Sequence, residues 1–567
     1  MHGPGRLVRL LLACVVSLGA AQAARPRDAL DDLAPDFWTW RVVHQPSTAD
    51  DIPRVERPAN WMPDWSAASI AARREALAAF ERRWHAIDAS ALTLPRQVDH
   101  RLIGSAIARV RWELDIAPAW QRDPAFYIQQ ALGPVYDVLL PPPPIDAGRA
   151  DALIARFAHV PAVLEHARAN LTDARRPFAR LAIDTLAGIE KNIETVAREI
   201  DAAVPSSHRG RVVKPAADAA AALGGFRDWL AGREATLGTD TAVGRPNYLR
   251  FLREVALVPF TPEELLAMGR QEWERAVAFE ALEQARNRAL PPMPLFHDQA
   301  AQIAKSAKDE AAIRRFLEQH DLLTVPASVN HYLNLPLPAY LAPIGFLGVT
   351  DDLTGPSRLD RNGVSYIRVP SPDLPYFYLS TARDPRPIIV HEGVPGHYLQ
   401  LVLSWKHEDP IRRHYYDSGP NEGIGFYAEE MMLQAGLWDD SPRSREIIYN
   451  FMRLRALRVE VDVKLATGDF SIAEAADYLE KTVPMDRQTA LEEAASFAAG
   501  PGQAITYQTG KLQIVRLLAD ARRQQGARFS LRAFHDFLWK NGNVPLALLR
   551  WELLDDPSDV RRLDRLE

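Results

Sequence analysis

Apolar residues recur at intervals of three and four along most of the chain, with charged residues between them. This spacing places the apolar side chains on one face of an α-helix and therefore predicts helices. Thr261 with Glu264 forms a capping-box pattern ahead of one long helix, and Ser471 with Glu474 repeats that pattern ahead of another. The fold class predicted from these signals is mainly α, a large multi-helix body. The clearest helical patterns lie at residues 71–87, 150–170, 175–204 and 215–231.

One region departs from the helical pattern. Residues 322–380 are rich in proline, glycine, aromatic and β-branched residues, a composition typical of short strands separated by turns. We expect a small β-sheet here, beside the segment that begins at residue 391. Such a sheet could hold an extended peptide by strand addition, or it could only cap the helical body. The runs expected to form strands are residues 347–350, 364–369 and 376–379.

Composition and charge narrow the class of protein. The chain has 567 residues, of which 47% are hydrophobic and 25% are charged, a balance that supports a large buried core. The net charge is −6 and there is no basic tract, which disfavours a nucleic-acid partner.

The N-terminus has the pattern of an export signal. Two arginines precede an apolar run from Leu10 to Ala20, and a small-residue cleavage pattern ends at Ala23. We therefore expect a signal peptide at residues 1–23, a periplasmic or secreted protein, and no integral membrane span. The single cysteine, Cys14, lies inside this signal. The apolar run continues past Cys14, which favours cleavage after Ala23 over a lipid anchor.

The sequence HEGVPGH at residues 391–397 holds the first candidate chemistry. Two neutral imidazoles and a carboxylate beside them are what a hydrolytic zinc site needs, so His391 and His397 are candidate Zn²⁺ ligands and Glu392 is the candidate general base. The usual spacing of the histidines is four residues, whereas six residues of regular helix would turn the two rings apart by about 120°. Pro395 and Gly396 could break the helix and let the rings converge. The alternative is a surface turn carrying two histidines.

A third ligand is available downstream. Glu422 follows His397 by 25 residues and opens a helical pattern, and a glutamate there would leave one position open for water. Glu429 lies two helical turns further along the same face and could orient a ligand histidine.

A second group of candidates lies near the C-terminal end. Gln503 and Tyr507 share one face of a helical pattern, and a tyrosine hydroxyl could donate to an oxyanion. A half-buried core position is the alternative for Tyr507. Arg458 could clamp a substrate carboxylate, or it could belong to an interhelical ion-pair network. Gln503, Glu429 and Arg458 are thus candidates for supporting the ligands or binding substrate.

The HExxPGH motif, the stretch around Glu422 and the stretch around Tyr507 are strongly similar to one bacterial family, the domain of unknown function 885 family. Its members are proposed to be zinc metallopeptidases. The resemblance implies a mostly helical fold akin to the gluzincin peptidases. It also implies Glu422 as third ligand, because gluzincin sites take a glutamate from a following helix.

These observations predict an exported zinc metallopeptidase that acts on a peptide or peptide-like substrate. Two alternatives remain: a metal-dependent hydrolase of a non-peptide amide or ester, and a catalytically inactive helical periplasmic binding protein. We expect a helical region at residues 24–321 and a catalytic metal-binding region at residues 322–567, joined as one structural unit. Substrate identity, cleavage mode and oligomeric state stay open.

Overall fold

The computed structural model describes residues 28–48, 55–483 and 485–566. The signal peptide expected at residues 1–23 lies outside these described residues. The described chain is mainly helical, as its apolar spacing predicts, with one small sheet. The helices before the sheet are α1 (Leu30–His44), α2 (Ala67–His85), α3 (Leu94–Arg111), α4 (Ala119–Arg122), α5 (Pro124–Leu139), α6 (Ala147–Asn170), α7 (Arg176–Thr185), α8 (Ile189–Ala203), α9 (Val213–Ala231), α10 (Arg245–Arg250), α11 (Pro262–Asn287) and α12 (Gln299–Gln319).

The remaining helices follow the sheet and carry the candidate residues. They are α13 (Tyr376–Thr381), α14 (Arg386–Ile388), α15 (His397–Trp405), α16 (Pro410–His414), α17 (Ser418–Gln434), α18 (Pro442–Thr467), α19 (Ile472–Thr482), α20 (Arg487–Ala499), α21 (Thr506–Gln525), α22 (Leu531–Lys540), α23 (Leu546–Leu554) and α24 (Ser558–Leu563). Wide five-residue helical turns occur at Trp112–Ile116, Phe251–Val255 and Ile389–Gly393, and short 3-10 turns at Ala89–Ala91, Ser206–His208, Glu234–Thr236, Ala342–Leu347 and Gly526–Arg528.

The helix signals in the sequence are confirmed with one correction. The patterns at residues 71–87, 150–170 and 215–231 form α2, α6 and α9. Thr261 caps α11 and Ser471 caps α19, each with a complete capping box. The pattern at residues 175–204 was expected to be one helix but forms two, because the chain turns after Thr185 and restarts at Ile189.

The sheet has three strands in the order β1-β3-β2, with β1 at Tyr332–Pro336, β2 at Asp351–Asp352 and β3 at Gly363–Ile367. β1 pairs with β3 in parallel and β2 pairs with β3 antiparallel. The expected strand at residues 364–369 is therefore present. The expected strand at residues 347–350 is displaced to β2, and β1 was not predicted.

The strand expected at residues 376–379 is wrong, because these residues begin α13. The amide of Leu379 donates to the carbonyl of Pro375 at 2.9 Å, which is a helical bond. Aromatic residues favour strands mainly by fitting a half-buried pleated surface, so tertiary packing can override the preference. Here the ring of Tyr376 packs 5.9 Å from that of Phe451, which gives α13 its own buried contact.

Two packing arrangements position the site. The largest hydrophobic cluster contains residues from Leu30 to Leu563, so both ends of the described chain share one core. Within it, α17 crosses α21 with Gly423 against Gly510. A Cβ added to Gly423 would lie 2.7 Å from the Cα of Gly510, so a side chain cannot enter this crossing. The two helices therefore approach each other closely at this pair of glycines.

Candidate metal centre

The backbone around the two histidines is broken, as the Pro-Gly pair predicts. The turn Ile389–Gly393 ends where Val394 becomes extended, and α15 begins at His397. His391 thus sits in the last turn of one helical segment and His397 is the first residue of the next. Their ring centres lie 4.7 Å apart with planes at 81°. The break therefore removes the divergence that a continuous helix would impose.

Glu422, in the second turn of α17, meets both imidazoles. Its Oε2 atom lies 3.4 Å from Nε2 of His391 and 3.2 Å from Nε2 of His397. One ligand atom from each of the three residues lies within 4.8 Å of the others, and all three side chains are buried. The structure thus gathers His391, His397 and Glu422 into a group that could hold a metal ion.

The donor atoms of this group fit a divalent metal. Both ring nitrogens of His397 and Oε2 of Glu422 are buried and make no hydrogen bond with any residue the structure describes. A buried polar atom without a partner is destabilising, and an ion between Nε2 of His397 and Oε2 of Glu422, which lie 3.2 Å apart, would satisfy these two atoms. Two imidazoles and one carboxylate are also a common protein ligand set for zinc in hydrolases.

Charge in the pocket favours the ionised form of the glutamate. Burial acts to raise the pKa of the Glu422 carboxyl, but the charge of His397 and the close contacts of both imidazoles bring that pKa well below its usual range. Glu422 is therefore an anion, as a metal ligand must be.

Glu429 lies behind His391, on the side away from Glu422. Its Oε1 atom is 2.7 Å from Nδ1 of His391, and the guanidinium of Arg455 holds its two oxygens at 3.0 and 3.1 Å. A carboxylate on the second ring nitrogen fixes the orientation of a ligand imidazole, so Nε2 of His391 is left facing Glu422.

Gly425 makes room for both imidazoles against α17. A Cβ at this position would lie 2.9 Å from Cε1 of His397 and 3.0 Å from Cε1 of His391. The two rings therefore pack directly on the backbone of the helix that carries Glu422.

Glu392 lines a cleft of about 330 Å³ next to His391. Burial raises the pKa of Glu392 to about 8; the charge of His397 acts in the opposite direction, and the charge of Asp351 raises it. Asp351 is itself held by hydrogen bonds from the Tyr332 hydroxyl and the Ser365 hydroxyl, each at 2.7 Å. The sheet thus fixes the carboxylate of Asp351 in the wall of the same cleft that Glu392 lines.

Tyr507 lines the same cleft from the first turn of α21. Its ring lies 6.2 Å from that of His391 and nearly parallel to it, at 16°. The guanidinium of Arg458 lies 4.7 Å from the centre of the Tyr507 ring, and Glu493 holds that guanidinium through two bonds of 2.7 and 2.5 Å. Burial and the charge of Glu422 raise the pKa of Tyr507 well above its usual value, so its hydroxyl keeps its proton as a hydrogen-bond donor.

Arg458 is therefore inside the cleft, but it is already bonded to Glu493. Gln503 also lines the cleft, on the loop that leads into α21. Asp462 shapes this loop, because its carboxylate accepts hydrogen bonds from the amides of Gly502 and Ala504 at 2.9 and 2.7 Å. All eight candidate residues thus lie in or directly beside one site.

Two side chains at the site, Asp351 and Glu493, were not assigned from the sequence. Arg455 shares a helical run with Arg458, for which the sequence leaves open a substrate clamp or an ion-pair network; in the structure Arg455 pairs with Glu429. Asp351 and Glu493 carry no local signal, because their partners lie elsewhere in the chain.

The fold and the site define a class: a mainly helical protein with a buried centre of two histidines and one glutamate that could hold a metal ion. In the part of the chain that the structure describes, no helix is long and apolar enough to cross a membrane.

The family model described as bacterial protein of unknown function (DUF885) matches residues 52–553. This chain therefore belongs to that family, as its motifs indicated. Among curated proteins, no sequence matches it significantly.

Two solved structures share the fold. A candidate lipoprotein from Colwellia psychrerythraea aligns with a TM-score of 0.74 and 16% identity over 95% of this chain and 100% of that one. A candidate lipoprotein of unknown function from Shewanella oneidensis aligns with a TM-score of 0.67 and 17% identity over 93% of this chain and 99% of that one. At this identity the likeness describes the fold alone.

Proposed function

We propose that this protein is an exported zinc-dependent peptidase whose ligands are His391, His397 and Glu422. The observation that carries the proposal is the convergence of these three buried side chains beside Glu392. Two of them, His397 and Glu422, have buried donor atoms that lack hydrogen-bond partners among the described residues. The best support for the alternative of an inactive binding protein is the six-residue spacing of the histidines, and the convergence of the two rings weakens that support.

A zinc ion at this position would polarise the substrate carbonyl and make a water molecule more acidic. Glu392, in its ionised form, accepts the proton of the attacking water and returns it to the leaving amine. Tyr507 donates a hydrogen bond to the oxygen that becomes negative as the carbonyl is attacked. Glu429 keeps the His391 ring in place throughout.

The sheet favours a peptide over another amide or an ester as the substrate. β2 is an edge strand, and Thr350 and Asp351 line the cleft next to Glu392. An extended peptide can add to such an edge through main-chain hydrogen bonds, which would lay its backbone along the candidate base. An ester or a compact amide gains nothing from the edge of a strand.

The test is the substitution Glu392→Gln, with zinc content measured on the same preparation. We expect about one zinc per chain in both proteins, and hydrolysis of a peptide mixture that falls by a factor of about 10² to 10⁴ in the variant. Hydrolysis is followed by mass spectrometry.

The matched control is Glu430→Gln, which removes a carboxylate from α17 that pairs with Lys511 and Arg275 outside the cleft. This control should retain activity. Full activity in Glu392→Gln, or wild-type protein that binds no zinc, would contradict the proposal.

A further inference from the structure

A second cavity, of about 270 Å³, adjoins the metal cleft. Gln503 forms part of the wall of both cavities. We call the second cavity the aromatic chamber, because ring side chains from distant parts of the chain surround it. These are Trp38, Trp65, Trp112, Phe126, Phe251 and Tyr416.

Four of the six rings of the chamber pack against one another in two pairs. Trp65 meets Phe126 edge to face, with ring centres 4.7 Å apart. Trp112 packs against Phe251 at 5.0 Å. Such pairs hold each ring in one orientation, so the chamber is a preformed site rather than a gap that closes when empty.

The charged side chains in the chamber wall neutralise each other. Arg41 binds both oxygens of Glu113, at 2.6 and 2.7 Å. Arg109 binds Asp417 at 2.6 Å. Because Arg41 and Arg109 are each paired with a carboxylate, these side chains add no net charge to the wall that would attract an ion. The chamber therefore suits a neutral occupant with a large apolar surface.

The loop before α21 borders both the chamber and the cleft. Gly500 and Pro501 line the chamber, and Tyr507, on the helix that follows the same loop, lines the cleft. Gln503 lines the same cleft as His391 and Glu392, and an extended chain advances about 3.3 Å per residue, so a peptide held at the metal centre would reach Gln503 within a few residues of the cleaved bond. One of its side chains can then enter the chamber.

We propose that the aromatic chamber binds a neutral aromatic side chain of the substrate, a few residues away from the cleaved bond. The proposal rests on the peptidase function proposed above and names the feature by which substrates are selected. An aromatic ring fits because it buries a large apolar area and packs edge to face with the rings that are already present.

The test measures peptide binding without cleavage. Short acetylated and amidated peptides of Ala, Gly and Ser, each with one Phe moved along the sequence, are titrated into zinc-loaded Glu392→Gln protein. Tryptophan fluorescence and calorimetry report the affinity. We expect Phe at one position to strengthen binding by about tenfold or more over the peptide without Phe.

Two variants examine the chamber itself. Trp38→Ala removes a wall and Ala119→Phe fills the space, and each should abolish the gain from Phe while leaving the affinity for the Phe-free peptide unchanged. Trp40→Ala is the matched control, because Trp40 lies on the same helix and packs on Phe80 away from the chamber. It should retain the gain.

The outcomes separate the two proposals. Binding that is insensitive to Phe at every position, absence of binding, or a gain that survives both chamber variants overturns the chamber proposal. Suppose that Phe strengthens binding, that both chamber variants abolish this gain, and that the wild-type protein shows no zinc-dependent hydrolysis. This result would support the chamber proposal and contradict only the peptidase proposal.

Discussion

Tyr507 lies between a buried guanidinium and an imidazole of the metal centre. Arg458 contacts one side of its ring and His391 is nearly parallel to it, while Glu493 fixes the guanidinium. A hydroxyl can stabilise an oxyanion only when its position is set before the charge develops. The Glu493–Arg458 pair is therefore expected to matter for turnover although Glu493 makes no bond to Tyr507.

A double-mutant cycle tests this dependence. Tyr507→Phe should lower kcat by a factor of about 10² to 10³ with little change in KM, because an oxyanion donor acts mainly in the transition state. Glu493→Gln should lower kcat less, and should add little when Tyr507 is already Phe.

The control for this cycle is Glu492→Gln, which changes the exposed neighbour of Glu493. Steady-state kinetics on one peptide substrate gives all four values of kcat. Additive losses from Tyr507→Phe and Glu493→Gln would contradict a positioning role for Glu493.

Among the residues of the site, the sequence identifies those that belong to a recognisable motif or lie close to one along the chain. His391, Glu392 and His397 lie in one short motif, and Glu422 follows His397 by 25 residues at the start of a helical pattern. Asp351 and Glu493 could not be found, because an acidic residue on a predicted helix or strand resembles an ordinary solvated one until its partner is known.

Helix ends are well specified by local chemistry, because a cap bonds the backbone within a few residues. Asp123 caps α5 by accepting a hydrogen bond from the amide of Ala125 at 2.8 Å. The same side chain is buried, and burial raises its pKa from 3.8 to about 7. The folded protein thus prefers the protonated form of Asp123, whereas the unfolded chain loses the proton near pH 4.

Asp123 should therefore make stability depend on pH. Its contribution to the free energy of unfolding is fully present below pH 3.8 and declines as pH rises through about 7. Asparagine is an equally good cap but does not ionise. The stability of the wild type relative to Asp123→Asn should thus fall between about pH 4 and pH 7.

Denaturant unfolding at several pH values measures this difference. Asp146→Asn, at the cap of α6, reports the general effect of replacing a capping aspartate. A constant difference between wild type and Asp123→Asn across the range would contradict the expectation.

Elements whose identity depends on distant partners were predicted less well. Residues 376–379 are predicted as a strand because aromatic residues favour strands, whereas the structure has α13 there, and the packing of α13 on Phe451 cannot be inferred from the local sequence. β1 was missed because its pairing with β3 joins residues about thirty positions apart.

The whole molecule connects parts of the chain that no local pattern relates. The hydroxyl of Tyr248 bonds Asp462 at 2.9 Å, and that of Ser105 bonds Tyr415 at 2.9 Å. Apolar spacing predicts which face of a helix is buried, but not which helix covers it. The fold class could therefore be predicted, whereas the aromatic chamber, which joins α1 to the loop before α21, could not.

Metal binding should be visible in the stability of the entire chain. The three ligands come from two segments on either side of a broken helix and from α17, so an ion would stabilise only the folded arrangement. Zinc at about 100 times its dissociation constant should add about 2.7 kcal/mol and raise Tm relative to chelator-treated protein.

Scanning calorimetry measures this shift. Glu422→Ala should lose it because a ligand is absent, while Glu392→Gln should keep it. An equal shift in Glu422→Ala and wild type would show that zinc binds elsewhere.

The contact between Gly423 and Gly510 has a mechanical consequence. The two helices approach closely there because neither glycine has a side chain, so a shift of one helix along the other would bring a flanking side chain against the facing main chain. Glu422 and Tyr507 are therefore expected to keep a fixed relative position when the protein moves. If the cleft widens to admit a substrate, we expect β2 and α13, which line its other side, to move.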